Sequence, residues 1–332
     1  MRKLIWKCLA VVPLLGLTLW WIRSDAQDAP AVSASPLVAG TGSIGSSNRS
    51  PQGSFGIGAG PGIDPTIHAD SPAAGDPAWR RAPLWDDGKA EFCAYEVSWA
   101  HYGHVYKGRA LLVLVKEPWS PALDVKADHP RRESFEVLKL NHVRDAATGI
   151  YTYHQMASVF WRRDSGALQK IAATSSEACG ISFAEMTHGK LQTHSYFDGQ
   201  GDRTHRWPAS ALPEDGLPAA LRTFVTGILP PHVEVFPSLL AGRYGDLAPR
   251  DYGLERREAP GGAEPGEPGA VELRLTSGAS KLTYTFGAQL PHRLLRFERE
   301  DGTTYKLAKC ERIAYWDMHD PGGEAWLPAA VR

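Results

Sequence analysis

From Phe92 onward, apolar and polar side chains alternate with a period of two. That is the spacing of strands that hide one side and wet the other. The clearest case is 91–100, where Cys93, Tyr95, Val97 and Trp99 fall on one side and Ala94, Glu96 and Ser98 on the other. Residues 101–107 read as a loop or bulge, and a second strand follows over 108–116. Its centre, Ala110 to Val115, is apolar on both sides. It therefore belongs in the middle of a sheet or under a covering helix. Further strands are predicted over 135–143, 150–162, 168–175 and 181–186. The segments 191–197 and 203–207 form a hairpin around Asp198–Asp202. Short helix candidates at 216–224 and 236–241 are bounded by prolines. Strands resume at Val271 and continue through 282–286, 294–300 and 303–313. Asp301-Gly302, between the last two, is the strongest short-range hairpin signal in the chain. The pattern gives a mainly β fold of about ten strands and about two short helices, with no repeating period.

Two stretches break the alternation. Residues 27–75 are rich in Gly, Ser, Ala and Pro and nearly devoid of large apolar side chains, the composition of a disordered linker. Residues 255–269 contain Pro260-Gly261-Gly262 and Pro265-Gly266, which predict a flexible loop. Ahead of both, Arg2 and Lys3 precede an apolar run from Leu9 to Ile22 that Arg23 and Asp25 end. This is the layout of a signal peptide. Read as one stretch from Leu4 to Ile22, it is also close to the length of a signal anchor. The expected organisation is a leader over 1–26, a linker over 27–75 and one β-rich envelope domain over 76–332. The protein is expected to be exported and periplasmic, either soluble or tethered to the inner membrane through its N-terminus. Cys8 precedes the apolar run and so does not fit a lipidation site.

Composition narrows the partners. With a net charge of -1, the 332-residue chain lacks the basic excess of a nucleic-acid binder. The cationic residues near the end, among them Arg293, Arg296 and Arg299, are interleaved with Glu298, Glu300 and Asp301, as on a solvated strand face. Reaction chemistry is not written in any motif. There is no Gly-x-Ser-x-Gly elbow and no phosphate loop. His101-x-x-His104 has ligand spacing, but two histidines in a turn are more often simply polar, and no His-Glu-x-x-His occurs. Glu177, Cys179 and His188 do not assemble a nucleophile and base by spacing. No catalytic residue, metal or cofactor is assigned.

The segment Tyr95-Glu96-Val97-Ser98-Trp99, followed after a loop by Lys107-Gly108-Arg109-Ala110-Leu111-Leu112-Val113-Leu114, resembles the opening of DUF3108-type envelope proteins. Leu290-Pro291-His292-Arg293-Leu294 with Asp301-Gly302-Thr303 is similar to the final hairpin of that family. Leu138–Asn141, Thr148–Tyr151 and Ser175–Gly180 are similar to a narrower set of uncharacterised exported proteins. The resemblance covers roughly residues 86–316. It implies a curved antiparallel half-barrel like that of the lipoprotein carriers LolA and LolB, wrapped around a helix or an apolar pocket. It supplies no catalytic residues. It also assigns Cys179 to the segment shared with the narrower set, leaving Cys93 and Cys310 as a disulfide that closes the first strand onto the last in an oxidising compartment.

The expected role is non-enzymatic. The half-barrel would bind an apolar ligand, a lipid or a lipoprotein acyl chain, against Tyr95, Val97, Trp99, Leu111, Val113 and Val115. The same side chains could instead fill a solid core. Two other roles stay open: a membrane-tethered scaffold or assembly factor for an envelope partner, and an enzyme whose site no motif reveals.

Overall fold

The computed structural model describes residues 75–259 and 269–331. The leader predicted over 1–26, nearly all of the linker predicted over 27–75 and the centre of the loop predicted over 255–269 lie outside the described residues. Among the described residues, no helix is long and apolar enough to cross a membrane.

The described residues build one curved, open sheet of sixteen strands from two meanders. The first meander contains β1 (Ala90–His101), β2 (His104–Ser120), the short β3 (Val125–Lys126), β4 (Phe135–Thr148) and β5 (Tyr151–Arg162). It continues through β6 (Leu168–Glu177), β7 (Gly180–Thr187), β8 (Lys190–His194) and β9 (Arg203–Arg206). The second contains β10 (Leu212–Pro213), β11 (His232–Phe236), β12 (Arg250–Glu258) and β13 (Ala270–Ser277), then β14 (Ser280–Gly287), β15 (Leu294–Arg299) and β16 (Thr304–Ile313). Neighbours are antiparallel except for β10 beside β11. The meanders join where β16 pairs β1, so the two sheet edges, β9 and β10, are consecutive in the chain. Short helices α1 (Ala78–Arg81) and α2 (Leu217–Ala220) complete the fold, with single 3-10 turns around them.

The period of two decides what faces inward. Cross-strand register places Cys93 opposite Leu112, Tyr95 opposite Ala110 and Val97 opposite Gly108 on the concave side. Leu138, Leu140, Ala157, Val159, Ile171, Ala173 and Met186 join them in one buried cluster. The segment 214–224, which contains α2, packs inside this sheet as a plug, and Leu217, Ala219 and Leu221 are fully buried. Its entry is tight. A Cβ on Gly216 would lie 2.5 Å from the Trp161 ring, so only glycine fits there. The plug is fixed to the sheet by Arg222, which donates to both carboxylate oxygens of Glu91, at 2.6 Å for the closer bond. Arg222 also donates to the carbonyls of Pro218 and Pro291. Both charges are buried, so the pair stands only because these further bonds satisfy it.

The outer side of β1 and β2 is covered too. Leu111, Val113 and Val115 point outward and form a second small cluster with Ala90, Phe92 and Tyr315. The chain after β16 returns across this face, with Tyr315 stacked on Phe92 and Trp326 edge-on to it. This explains how β2 can be apolar on both sides: a C-terminal strap provides the second cover.

Several expectations are corrected. Residues 101–107 are not a loop. Tyr102 and Gly103, with φ of 51° and 75°, make a two-residue turn, and β2 starts at once. The helix expected over 236–241 does not form; Phe236 ends β11 and the chain runs on without regular structure, because Pro237 disfavours helical geometry at the residue before it. Residues 255–258 belong to strand β12. They have no apolar alternation because Glu255 and Arg257 face Arg274 and Glu272 across the ladder on an exposed side. The strand total of sixteen exceeds ten mainly because charged or very short strands carry no period-two signal.

Candidate functional site

The strands carry apolar side chains along most of the concave side, and then the character changes on one rung. Arg144 on β4, Gln155 on β5 and Ser175 on β6 are consecutive cross-strand partners, and Ser182 on β7 follows Ser175. All four occupy inward positions that the alternation reserves for apolar residues. Burial of such groups is affordable only with partners. Arg144 donates from Nε and Nη2 to Gln155 Oε1, at 2.9 and 2.6 Å. Gln155 Nε2 donates to Ser175 Oγ and to the carbonyl of Leu240. Ser182 Oγ donates to the carbonyl of Gly242. The rung thereby holds residues 238–242 against the end of the barrel.

Above this rung lies a cavity of about 530 Å³. It is in the size range of small-molecule sites. Trp99, His101, Tyr102 and Tyr153 form one wall, Phe297, Arg299 and Tyr305 a second, and Leu240 to Arg243 a third. Arg144 lies over the Trp99 ring, 4.6 Å from its centroid, and His101 stacks on Trp99 at 4.2 Å. Tyr102 and Tyr153 share a hydrogen bond of 2.7 Å between their hydroxyls. Of these wall residues, Tyr102 is exposed.

The floor is His142, Tyr305 and, from the plug, Asp215. His142 Nδ1 lies 3.2 Å from the Asp215 carbonyl, which can only accept, so Nδ1 carries the proton. Nε2, 3.0 Å from Tyr305 Oη, then accepts from that hydroxyl. Burial, reinforced by the charge of Arg144, pushes the imidazole down to about 3, so it stays neutral at ordinary pH. The Asp215 carboxylate accepts from Ser238 Oγ and the Leu239 N–H. Burial nevertheless raises it to about 6. Arg299 is paired with Glu214. His142 has both nitrogens engaged and each Asp215 oxygen has a donor, so the floor is one connected hydrogen-bond network.

Of the residues expected to line a pocket, Trp99 lines this cavity. Tyr95 and Val97 face inward but lie lower, in the filled core, where the Tyr95 hydroxyl donates to the Leu294 carbonyl. Leu111, Val113 and Val115 do not face the interior. They are one residue out of phase with Tyr95 and Val97, and they pack beneath the strap. Cys93 and Cys310 are opposed on β1 and β16 and joined by a disulfide, while Cys179 is free and exposed. Glu91 adjoins the two sulfurs, but they are bonded to each other and it is bonded to Arg222, so the trio has no open ligand. His101 and His104 face each other across the hairpin turn, one at the cavity and one exposed. The sequence reading missed Arg144, Gln155, His142 and Asp215. The first three were detectable as polar residues at inward positions of otherwise apolar strands. Asp215 was not, because its burial depends on the plug.

The structure thus defines an open, barrel-like β protein with a filled base and a polar, aromatic mouth. Comparison with known proteins adds little to that. No family model matches the sequence, including the DUF3108-type and LolA/LolB-like families that its strand motifs suggest, and no curated protein matches it. Among solved structures the chain is similar to the crystal structure of a β-barrel-like protein of domain of unknown function DUF1849 from Brucella abortus. The identity is 9% and the TM-score 0.40, over 68% of this chain and 98% of that one. A likeness this distant assigns no function.

Proposed function

We propose that the protein is a non-enzymatic envelope protein that binds a small ligand in the mouth of its half-barrel. The observation that carries this reading is the cavity of about 530 Å³ above the polar rung. Its walls combine aromatic surface with a few fixed polar groups, the make-up of a ligand site. The acyl-chain analogy with lipoprotein carriers is narrowed by the plug. An alkyl chain lying along the axis would collide with Leu217, Ala219 and Leu221, so the ligand is short or enters only part of the way. The disulfide is consistent with an exported location, where thiols oxidise.

Native mass spectrometry of the full-length protein, purified gently from the envelope fraction, tests the reading. A bound small molecule is expected in the wild type and lost in Ala241→Trp, whose indole fills the mouth. A wild type that carries nothing and also fails to bind a neutral naphthylamine dye would sink it.

A further inference from the structure

Resting on the reading of the mouth as a binding cavity, we infer that its ligand is a small organic anion with a flat apolar body, selected by Arg144. Arg144 projects inward from β4 and is half-buried. Its donors go to neutral oxygens, those of Gln155 and the Leu240 carbonyl, and its face lies on Trp99. Among the described residues no carboxylate stands within ion-pair distance of it. The cavity does contain carboxylates, and each keeps its charge but bonds a neutral donor of its own loop instead of Arg144. Asp215 accepts from Ser238 and Leu239, Glu177 from the Cys179 N–H and Asp301 from the Thr303 N–H. Arg299 is already matched by Glu214.

A half-buried guanidinium that no carboxylate bonds directly, with Asp215 acting on it only at longer range, has room for a closer anionic partner. An anion entering from the mouth would complete it through charge-assisted bonds. A second cation, Arg243, waits at the opening over the Phe197 ring, 4.0 Å from its centroid, and would meet the anion first. The body of the ligand is set by the walls. Tyr153 and Phe297 present ring surface, and flat apolar groups pack on such rings in offset or edge-on geometry. One further polar atom is unmatched: His101 Nε2 is buried with no hydrogen-bond partner. Burial and the nearby Arg144 keep this ring in its neutral form, so it can bond a ligand hydroxyl or amide without adding charge.

Two dyes separate the anion requirement from binding as such. N-phenyl-1-naphthylamine and 8-anilinonaphthalene-1-sulfonate share one ring system and differ by the sulfonate. Titrated into the full-length protein at low salt, the sulfonate is expected to bind about tenfold more tightly, the ratio that about 1.4 kcal/mol of charge-assisted bonding gives. Arg144→Met should bring the two affinities together by weakening the sulfonate far more than the neutral dye, and Arg144→Lys should retain most of the preference. A cooperative urea transition like the parent's shows that the variant is folded. Equal affinity of both dyes for the wild type, or a preference that survives Arg144→Met, overturns the inference while leaving the cavity reading intact. Binding of neither dye, or full binding of both by Ala241→Trp, overturns the cavity reading and the inference with it.

Discussion

His142 and Asp215 meet at the cavity floor and titrate in opposite senses. His142 falls from 6.5 to about 3 on folding, so between those values the unfolded chain takes up a proton that the native protein refuses. Its contribution to stability is complete above pH 6.5 and is lost as pH falls toward 3. Asp215 rises from 3.8 to about 6, so there the native protein keeps a proton that the unfolded chain releases. Its contribution is complete below 3.8 and is lost as pH rises through 6. Between pH 4 and 6 the two slopes oppose, each worth up to about 1.4 kcal/mol per pH unit. Asp215→Asn should therefore steepen the loss of stability on acidification from pH 6 to 4, as read from urea midpoints at pH 4, 5 and 6. A variant whose pH profile runs parallel to the wild type would show that Asp215 is not buried against the floor. Neither residue stood out in the sequence. His142 was one of 12 histidines, and the Asp215 carboxyl is buried where the plug meets Ser238 and Leu239.

At the level of elements, legibility followed the source of each strand's partner. β1, β5 and the β15–β16 hairpin were readable because alternation and Asp301-Gly302 are local signals. β12 was not, because its register with β13 rests on facing charges such as Glu255 and Arg274. The Tyr102-Gly103 turn was missed because an aromatic residue at positive φ lacks the usual Asn-Gly or Asp-Gly signature. The plug was predicted as a short helix, but no sequence rule placed it inside the sheet. Its seat is Trp161. Gly216→Ala would drive a methyl group to 2.5 Å from that ring, and the plug or the indole would have to move. The expected cost is about 1–3 kcal/mol, the range of overpacked cores. Chemical denaturation measures it. An unchanged midpoint would mean that the plug does not pass Trp161 so closely.

The described residues form two meanders that join along the sheet at two places, with the plug and residues 240–242 bridging them as well. One is covalent continuity through residues 207–211, between β9 and β10; the other is the pairing of β1 with β16. Alternation could suggest a curved sheet but not this closure, because the first and last strands lie over 200 residues apart, with a separation of 217 between Cys93 and Cys310. The disulfide sits at the second join, deep on the concave side and beside the Glu91–Arg222 pair that anchors the plug. Without it, β16 could leave β1 with only ladder bonds and packing to resist, and the strap over Leu111, Val113 and Val115 would go with it. Cross-linking so distant a pair restricts the unfolded chain strongly, and removing such a bond typically costs about 2–5 kcal/mol. Cys93→Ser should therefore lower the denaturation midpoint, and the unfolded, unreduced variant should titrate one more thiol than the parent. Because the join is shared, the loss should also weaken ligand binding at the mouth, where Trp99 on β1 and Tyr305 on β16 stand on opposite sides of it. A variant that titrates one thiol fewer than the parent would dispose of the bond, and one that kept both stability and dye affinity would show that the join holds without it.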